Sequence, residues 1–289
     1  MKRLIGFIWP LALFAAVLLA LATVAASCRF NQRRIPLIAV SIQPEKFLLE
    51  QIVGDKVEVV SLLGNESNPE TYEPNLTDMI TLERSQAYFT VGTIGYEYAI
   101  LEKVRINNPG LHIFNMSNGI TRLAWHGYGD GEADPHVWTS VRNAKIMAGN
   151  MLQALVELYP SEKRFFTKRC KTLLAHLDGL DAQFAERLKS TRASAFVVWH
   201  PSFGYFARDY NLTQLALDNG KEPSVTELKA RLGQARQRGA RVLVMQRQFD
   251  SRLAGAVRQG TDVRTVTVNS MSEHWEEEMA KLVNALSGQ

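Results

Sequence analysis

Cysteine is nearly absent from this 289-residue chain, with only Cys28 and Cys170 present. That excludes the disulfide framework of a small secreted domain, so a hydrophobic core has to hold the fold. An excess of one charge is missing too: 33 basic against 29 acidic residues give a formal net charge of +4. No basic cluster with interleaved aromatics appears, and nothing argues for a nucleic-acid partner. A phosphate loop, a dinucleotide fingerprint and a His-Glu-x-x-His helix are all absent, and no serine–histidine or cysteine–histidine nucleophile is supported. Internal repeats and low-complexity tracts are not evident either.

What is present begins at the N-terminus. Lys2 and Arg3 precede an apolar run from Leu4 to Ala26, closed by Ala25-Ala26-Ser27-Cys28. Basic start, apolar middle and small residues before a cleavage point are the parts of a secretory signal. Small residues directly before a cysteine resemble a bacterial lipobox, with 1–27 as signal peptide and Cys28 as the acylated first residue. An uncleaved anchor is the alternative, since the run reaches the ~20 apolar residues that span a bilayer. An anchor has no need of a cysteine there. Either reading exports the rest of the chain, facing the periplasm or the cell exterior. Removing residues 1–27 leaves 262 residues and lowers the net charge to +2, room for two domains of roughly 100–150 residues.

From Leu37 short apolar runs alternate with amphipathic stretches. The pattern predicts strands at 37–41, 57–62, 87–91 and 111–115, with helices over 44–53 and 77–84. This is the rhythm of parallel βαβ units. Residues 141–159 and 161–190 then read as helices, with Pro160 at a boundary where its missing N–H costs little. Cys170 falls on the second as a small buried hydrophobe. A helix of that length, roughly 45 Å, exceeds what one lobe needs and reads as a strut. Strands at 195–199, 241–245 and 263–268 follow, with helices over 224–237, 251–260 and 274–287. The expected fold is α/β: two α/β lobes, 36–140 and 191–289, joined by a long rigid backbone helix within 141–190. A ligand cleft lies between them, beyond the carboxyl ends of the strands.

Three strand-to-loop junctions carry metal-competent side chains: Asn68-Pro69-Glu70-Thr71-Tyr72-Glu73-Pro74, Asp134-Pro135-His136-Val137-Trp138, and Trp199-His200-Pro201-Ser202-Phe203-Gly204-Tyr205. A lone histidine more often packs or solvates than ligates. Two such sites on the first lobe and one on the second could converge across a cleft, with Trp138, Trp199, Phe203 and Tyr205 as candidate apolar walls. His126, Asp130, Glu132 and Asp134 precede His136 in a glycine-rich acidic loop.

With these blocks, and with Glu222-Pro223-Ser224 before a helix, the mature chain resembles the zinc- and manganese-binding solute-binding proteins of ABC importers, the ZnuA- and TroA-like family. The resemblance implies a metal held between two lobes braced by a rigid helix. His136 and His200 match family ligand histidines. Glu70 stands where the family has a histidine, Asn269 where it has an aspartate, and Gln246 where it has a glutamate. Glu70, His136, His200 and Asn269 are therefore the expected metal ligands, with Asp134 and Gln246 as supports behind them. Two imidazoles and a carboxylate bind Zn²⁺ at about 2.0–2.2 Å, and the same trio suits Fe²⁺, with Mn²⁺ a further alternative. Asn269, Gln246 or water would complete the coordination.

The implied function is capture of a divalent transition metal, Zn²⁺ first, and its delivery to an ABC transporter permease. The implied protein is a monomer, held at the membrane by its lipid anchor alone, and not an enzyme. Two other readings stand beside it. A relative that has lost tight metal binding would act as a binding or adhesion module. A metal-dependent hydrolase would use the open position, with Glu73 as the only nearby base.

Overall fold

The computed structural model describes residues 35–125, 133–189, 191, 195–218, 223–247, 257 and 263–288. The signal peptide with Cys28, the acidic loop at His126, Asp130 and Glu132, Glu222, and the helix expected over 251–260, apart from Val257, lie outside the described residues. No helix among the described residues is long and apolar enough to cross a membrane.

Two four-stranded parallel sheets organise the chain. The first contains β1 (Leu37–Val40), β2 (Glu58–Ser61), β3 (Ala87–Thr90) and β4 (His112–Asn115), in the order β2-β1-β3-β4. The second contains β5 (Ala195–Val198), β6 (Thr213–Ala216), β7 (Val242–Gln246) and β8 (Arg264–Val268), in the order β6-β5-β7-β8. The central strands β3, β5 and β7 are buried along their whole length. Both their faces are covered, which is why they read as continuous apolar runs rather than alternating ones. In each order the chain reverses direction beside the first strand, which opens a crevice at the carboxyl ends of β1 and β3 and again of β5 and β7.

The connecting helices are α1 (Gln43–Val53), α2 (Leu76–Arg84), α3 (Gly95–Asn107), α4 (Val141–Leu158), α5 (Lys163–Lys189), α6 (Gly204–Asp209), α7 (Val225–Gln237) and α8 (Trp275–Ser287). Helix α2 starts sharply because Asn75 accepts hydrogen bonds from the amides of Thr77 and Asp78, while Asp78 accepts from that of Asn75. Helix α5 runs 27 residues, about 40 Å. Its buried stripe of Phe166, Cys170, Leu173, Leu177, Leu180, Phe184 and Leu188 recurs every three or four residues. It lies along α4, α1 and α8, so one brace backs both lobes.

Three elements escape the sequence pattern: α3, α6 and β6. Apolar Tyr98 and Ile106 on α3 are exposed, which blurs its periodicity. β6 is a four-residue edge strand of only partial burial, too short and polar to stand out.

Candidate metal centre

Each candidate side chain is fixed by its own local structure. Glu70 sits on the loop between β2 and α2, where Asn68 Oδ1 accepts its backbone N–H at 2.9 Å. Pro69 restricts the chain just before it. Tyr72, two residues on, donates to Asp78 at 2.6 Å and packs edge-on against Tyr96. His136 follows Pro135. The Asp134 carboxylate accepts its backbone N–H and lies 2.9 Å from ring Nδ1. A carboxylate at Nδ1 places the proton there and leaves the Nε2 lone pair for another partner.

His200 follows β5 and is completely buried. Gln246, at the end of β7, accepts its backbone N–H at 3.1 Å. The same amide donates to the His200 carbonyl, and to Ser202 Oγ at 2.9 Å. Behind the ring, Asp218 Oδ2 lies 3.5 Å from Nδ1. Asp218 had no signal in the sequence reading, because it follows β6 and that strand went undetected.

These three loops meet. Glu70 Oε1 is 2.9 Å from His200 Nε2 and 3.6 Å from His136 Nε2. One ligand atom from each of Glu70, His136 and His200 lies within 4.8 Å of the other two. Donors about 2.1 Å from a tetrahedral ion stand about 3.4 Å apart, so the trio already has the spacing of a shared cation. Neither Glu70 oxygen accepts a well-aligned hydrogen bond, although both are buried. A carboxylate left so in a protein interior calls for a cation. Burial pushes the His200 pKa down, but Asp218 and Glu70 outweigh it and leave the pKa above its ordinary value. Without an ion, the ring proton and Glu70 form the pair that a metal would displace.

The walls differ in part from expectation. Trp138 packs on His136 with ring centres 5.2 Å apart. Trp125, overlooked in the sequence, stands edge-on to both imidazoles at 6.1 and 6.2 Å. Trp199 instead faces the separate core between the second sheet and α7, and Phe203 is buried in the main core. Tyr205 serves as a tie, donating to the Asp134 carbonyl at 2.8 Å. Further ties across the lobes run from Trp138 Nε1 to the Ser270 carbonyl and from Trp275 Nε1 to the Trp138 carbonyl. Gly204 belongs to this contact: a Cβ there would come within 2.6 Å of Asp134 Oδ2.

Asn269 is engaged elsewhere. Its Nδ2 donates to the Asn65 carbonyl at 2.9 Å, and its Oδ1 accepts from Met271 N at 3.0 Å. Asn65 Oδ1 in turn accepts from Glu273 N at 2.9 Å. Asn269 thus straps the loop that carries Glu70 to the second lobe. Glu73 is exposed. His112, His176 and His274 are separate from the cluster; His176 pairs with Glu276 at 2.8 Å.

This geometry has a counterpart among known proteins. The periplasmic zinc-uptake complex component A family, ZnuA, matches residues 38–287. The chain belongs to that family. The family consists of solute-binding proteins, not enzymes. The high-affinity zinc uptake system protein ZnuA of Bacillus subtilis is 25% identical over 84% of this chain and 81% of its own. The manganese ABC transporter substrate-binding lipoprotein PsaA of Streptococcus anginosus is 24% identical, over 75% and 74%. A crystal structure of a ZnuA deletion mutant with zinc bound superposes with a TM-score of 0.81. It is 31% identical to this chain and covers 89% of it and 100% of itself. The two lobes and long helix of this ZnuA-family chain are those of the family fold.

Proposed function

We propose that this chain captures a divalent transition metal outside the cytoplasm and passes it to the permease of an ABC importer. Zn²⁺ is the first choice, with Mn²⁺ or Fe²⁺ as alternatives. The observation that carries the reading is the convergence of Glu70, His136 and His200, with ligand atoms within 4.8 Å of one another. Glu70 supplies one negative charge and the imidazoles two neutral donors, a set that binds zinc well. Asp134 and Asp218 orient the rings from behind, and Gln246 fixes the backbone at His200. Asn269 acts as a strap rather than a ligand, and among the described residues no further histidine, cysteine or carboxylate joins the trio, so water is the reading for the fourth coordination position. Zinc and manganese relatives both exist, and the donor set itself suits more than one ion.

Cys28 serves as the lipid attachment point, and the chain works as a monomer beside its permease. Mass spectrometry of the envelope-derived protein would detect the lipid as added mass on an N-terminal Cys28 peptide. An unmodified residue 28 would remove the anchor from the account.

The function is tested by titrating metal-stripped protein with Zn²⁺, Mn²⁺ and Fe²⁺. One tight site is expected, and it disappears in the His136→Ala/His200→Ala double variant. Binding that survives the double variant unchanged would overturn the assignment of the site, and no tight binding in the unaltered chain would favour a binding or adhesion module.

A further inference from the structure

Charge is unevenly placed along α5. Lys163, Arg164, Lys168, Arg169 and Lys171 open the helix, and no acid occurs in it before Asp178. The start of a helix is the positive end of its dipole, so cations there weaken the helix rather than support it. Lys163, Arg164, Lys168 and Lys171 are exposed, and none forms an ion pair among the described residues. Asp178 and Asp181, further along, pair with Lys145 and Arg142. Arg164, Lys168 and Lys171 recur at helical spacing on the side of α5 away from its buried stripe. Beside them lies a cavity of about 640 Å³ lined by Lys168, Arg169, Phe47, Phe165 and Leu173. Glu276, the acid in that lining, is paired with His176 at 2.8 Å. An apolar floor with a cationic edge suits an amphiphile with an anionic head.

The course of the chain points to the same partner. The Pro36 carbonyl accepts the Glu58 amide at 2.8 Å. Lys56, two residues before Glu58, pairs with Glu162 at 3.6 Å and lies 5.5 Å from the Phe165 ring centre. Next to Pro36, the Leu37 carbonyl accepts the Gln86 amide, and Gln86 Oε1 accepts the Tyr159 hydroxyl at 2.7 Å. The start of β1 and the start of α5 therefore share one end of the first lobe. Cys28 stands eight residues before Pro36, a reach of at most about 28 Å. That stretch contains Arg29, Arg33 and Arg34 and no acid. Asp55 and Glu58 are exposed at this end too, so the attraction belongs to the outer face of α5 and not to the whole end of the lobe.

We infer that the first half of α5, with the cavity beside it, rests on the anionic phospholipid surface of the membrane that holds the lipid anchor. Cys28 keeps the chain at that membrane, and the α5 cations turn one side of the first lobe towards it. Each Lys or Arg near an anionic leaflet strengthens attachment about fivefold. This takes its location from the lipid-anchor reading above and goes beyond it by naming a face.

The test is sedimentation of residues 28–289, made without lipid, with vesicles of phosphatidylcholine alone or with about one-third phosphatidylglycerol. That chain keeps the compact unit 36–289 whole, and circular dichroism checks the folding of each variant. Binding to the anionic vesicles should exceed binding to the neutral ones at least about tenfold, and fade as salt screens the charges. Lys163→Gln/Arg164→Gln/Lys168→Gln/Lys171→Gln should lower it at least about tenfold. Arg164→Gln and Lys168→Gln alone should each lower it about two- to fivefold, which reads the face even where the fourfold variant does not fold. Four exposed cations of the second lobe serve as the control: Lys229→Gln/Arg236→Gln/Arg238→Gln/Arg241→Gln should lower binding less than about threefold. Equal losses in the two fourfold variants would assign the attraction to net charge and overturn the inference. Equal binding to both kinds of vesicle, or to neither, would overturn it as well. An unmodified Cys28 is a separate result: it removes the anchor, while the vesicle outcomes still decide the surface.

Discussion

The two lobes share one strand order but secure their equivalent loops by opposite chemistry. β1 and β5 occupy the same place in their sheets. After β1, the turn at Ser41 and Ile42 is held by carboxylates. Glu45 Oε2 accepts both backbone amides at 3.0 and 3.4 Å, and Ser41 Oγ donates to Glu97. Glu97 also accepts from the amides of Val91 and Gly92 at 2.8 and 2.7 Å. After β5, the turn at His200 is held by the neutral amide of Gln246. In the first lobe the polar groups are sealed inwards, and the strand end offers no ligand. In the second they hold an imidazole at the cleft. A shared topology therefore fixes where a ligand can stand, and the supporting residue decides whether one does.

The sharpest way to break this comparison is to remove the orienting carboxylates. Asp134→Asn and Asp218→Asn should each weaken zinc binding, by about 10–100-fold. Asp134 should matter more, since it lies 2.9 Å from its ring and Asp218 3.5 Å from its own. No loss in either variant, read by chelator competition, would mean that the histidines are held by their backbones alone. Next comes Gly204→Ala. The new Cβ, 2.6 Å from Asp134 Oδ2, should push that carboxylate off His136 and lower affinity by roughly tenfold. An unaltered affinity would show that the contact yields without disturbing the ring.

The fold was largely legible before these details. Strands 37–41, 87–91 and 195–199 read true because buried parallel strands are unbroken apolar runs, and the long helix because its stripe persists through seven buried residues. The positions of Glu70, His136 and His200 followed from metal-competent residues at strand ends, although only the structure brings them to one point. Asp218 and Trp125 could not be read. One depends on an edge strand of weak pattern, and the other is a lone aromatic whose place is set by tertiary contact. The bond from Asn269 to the Asn65 carbonyl could not be read either, because it joins residues far apart in sequence.

A smaller effect concerns stability. Burial, then the neighbouring Glu97, raises the Glu45 pKa well above the ordinary carboxylate value. A folded-state pKa above the unfolded one gives stability that is complete below the unfolded value and is lost as pH rises through the folded one. Glu45→Gln keeps an acceptor for Ser41 and Ile42 and cannot ionise. It should raise the melting temperature by a few degrees at pH 8 and leave it nearly unchanged at pH 4. The neutral support at Gln246 has no such dependence. A variant that gains nothing at pH 8 would erase this difference between the lobes.

The smallest expected change in metal affinity is that of Asn269→Ala. Loss of its buried hydrogen bonds should cost about 1–2 kcal/mol of stability in denaturant unfolding, while zinc affinity shifts less than about threefold. A much larger drop in affinity would return Asn269 to the coordination sphere.

Anomalous diffraction at the zinc edge from metal-loaded crystals addresses the shared cation most directly. One peak is predicted about 2.0–2.2 Å from a Glu70 oxygen and from the Nε2 atoms of His136 and His200. A peak bound to one lobe only, or none between the three side chains, would contradict the account.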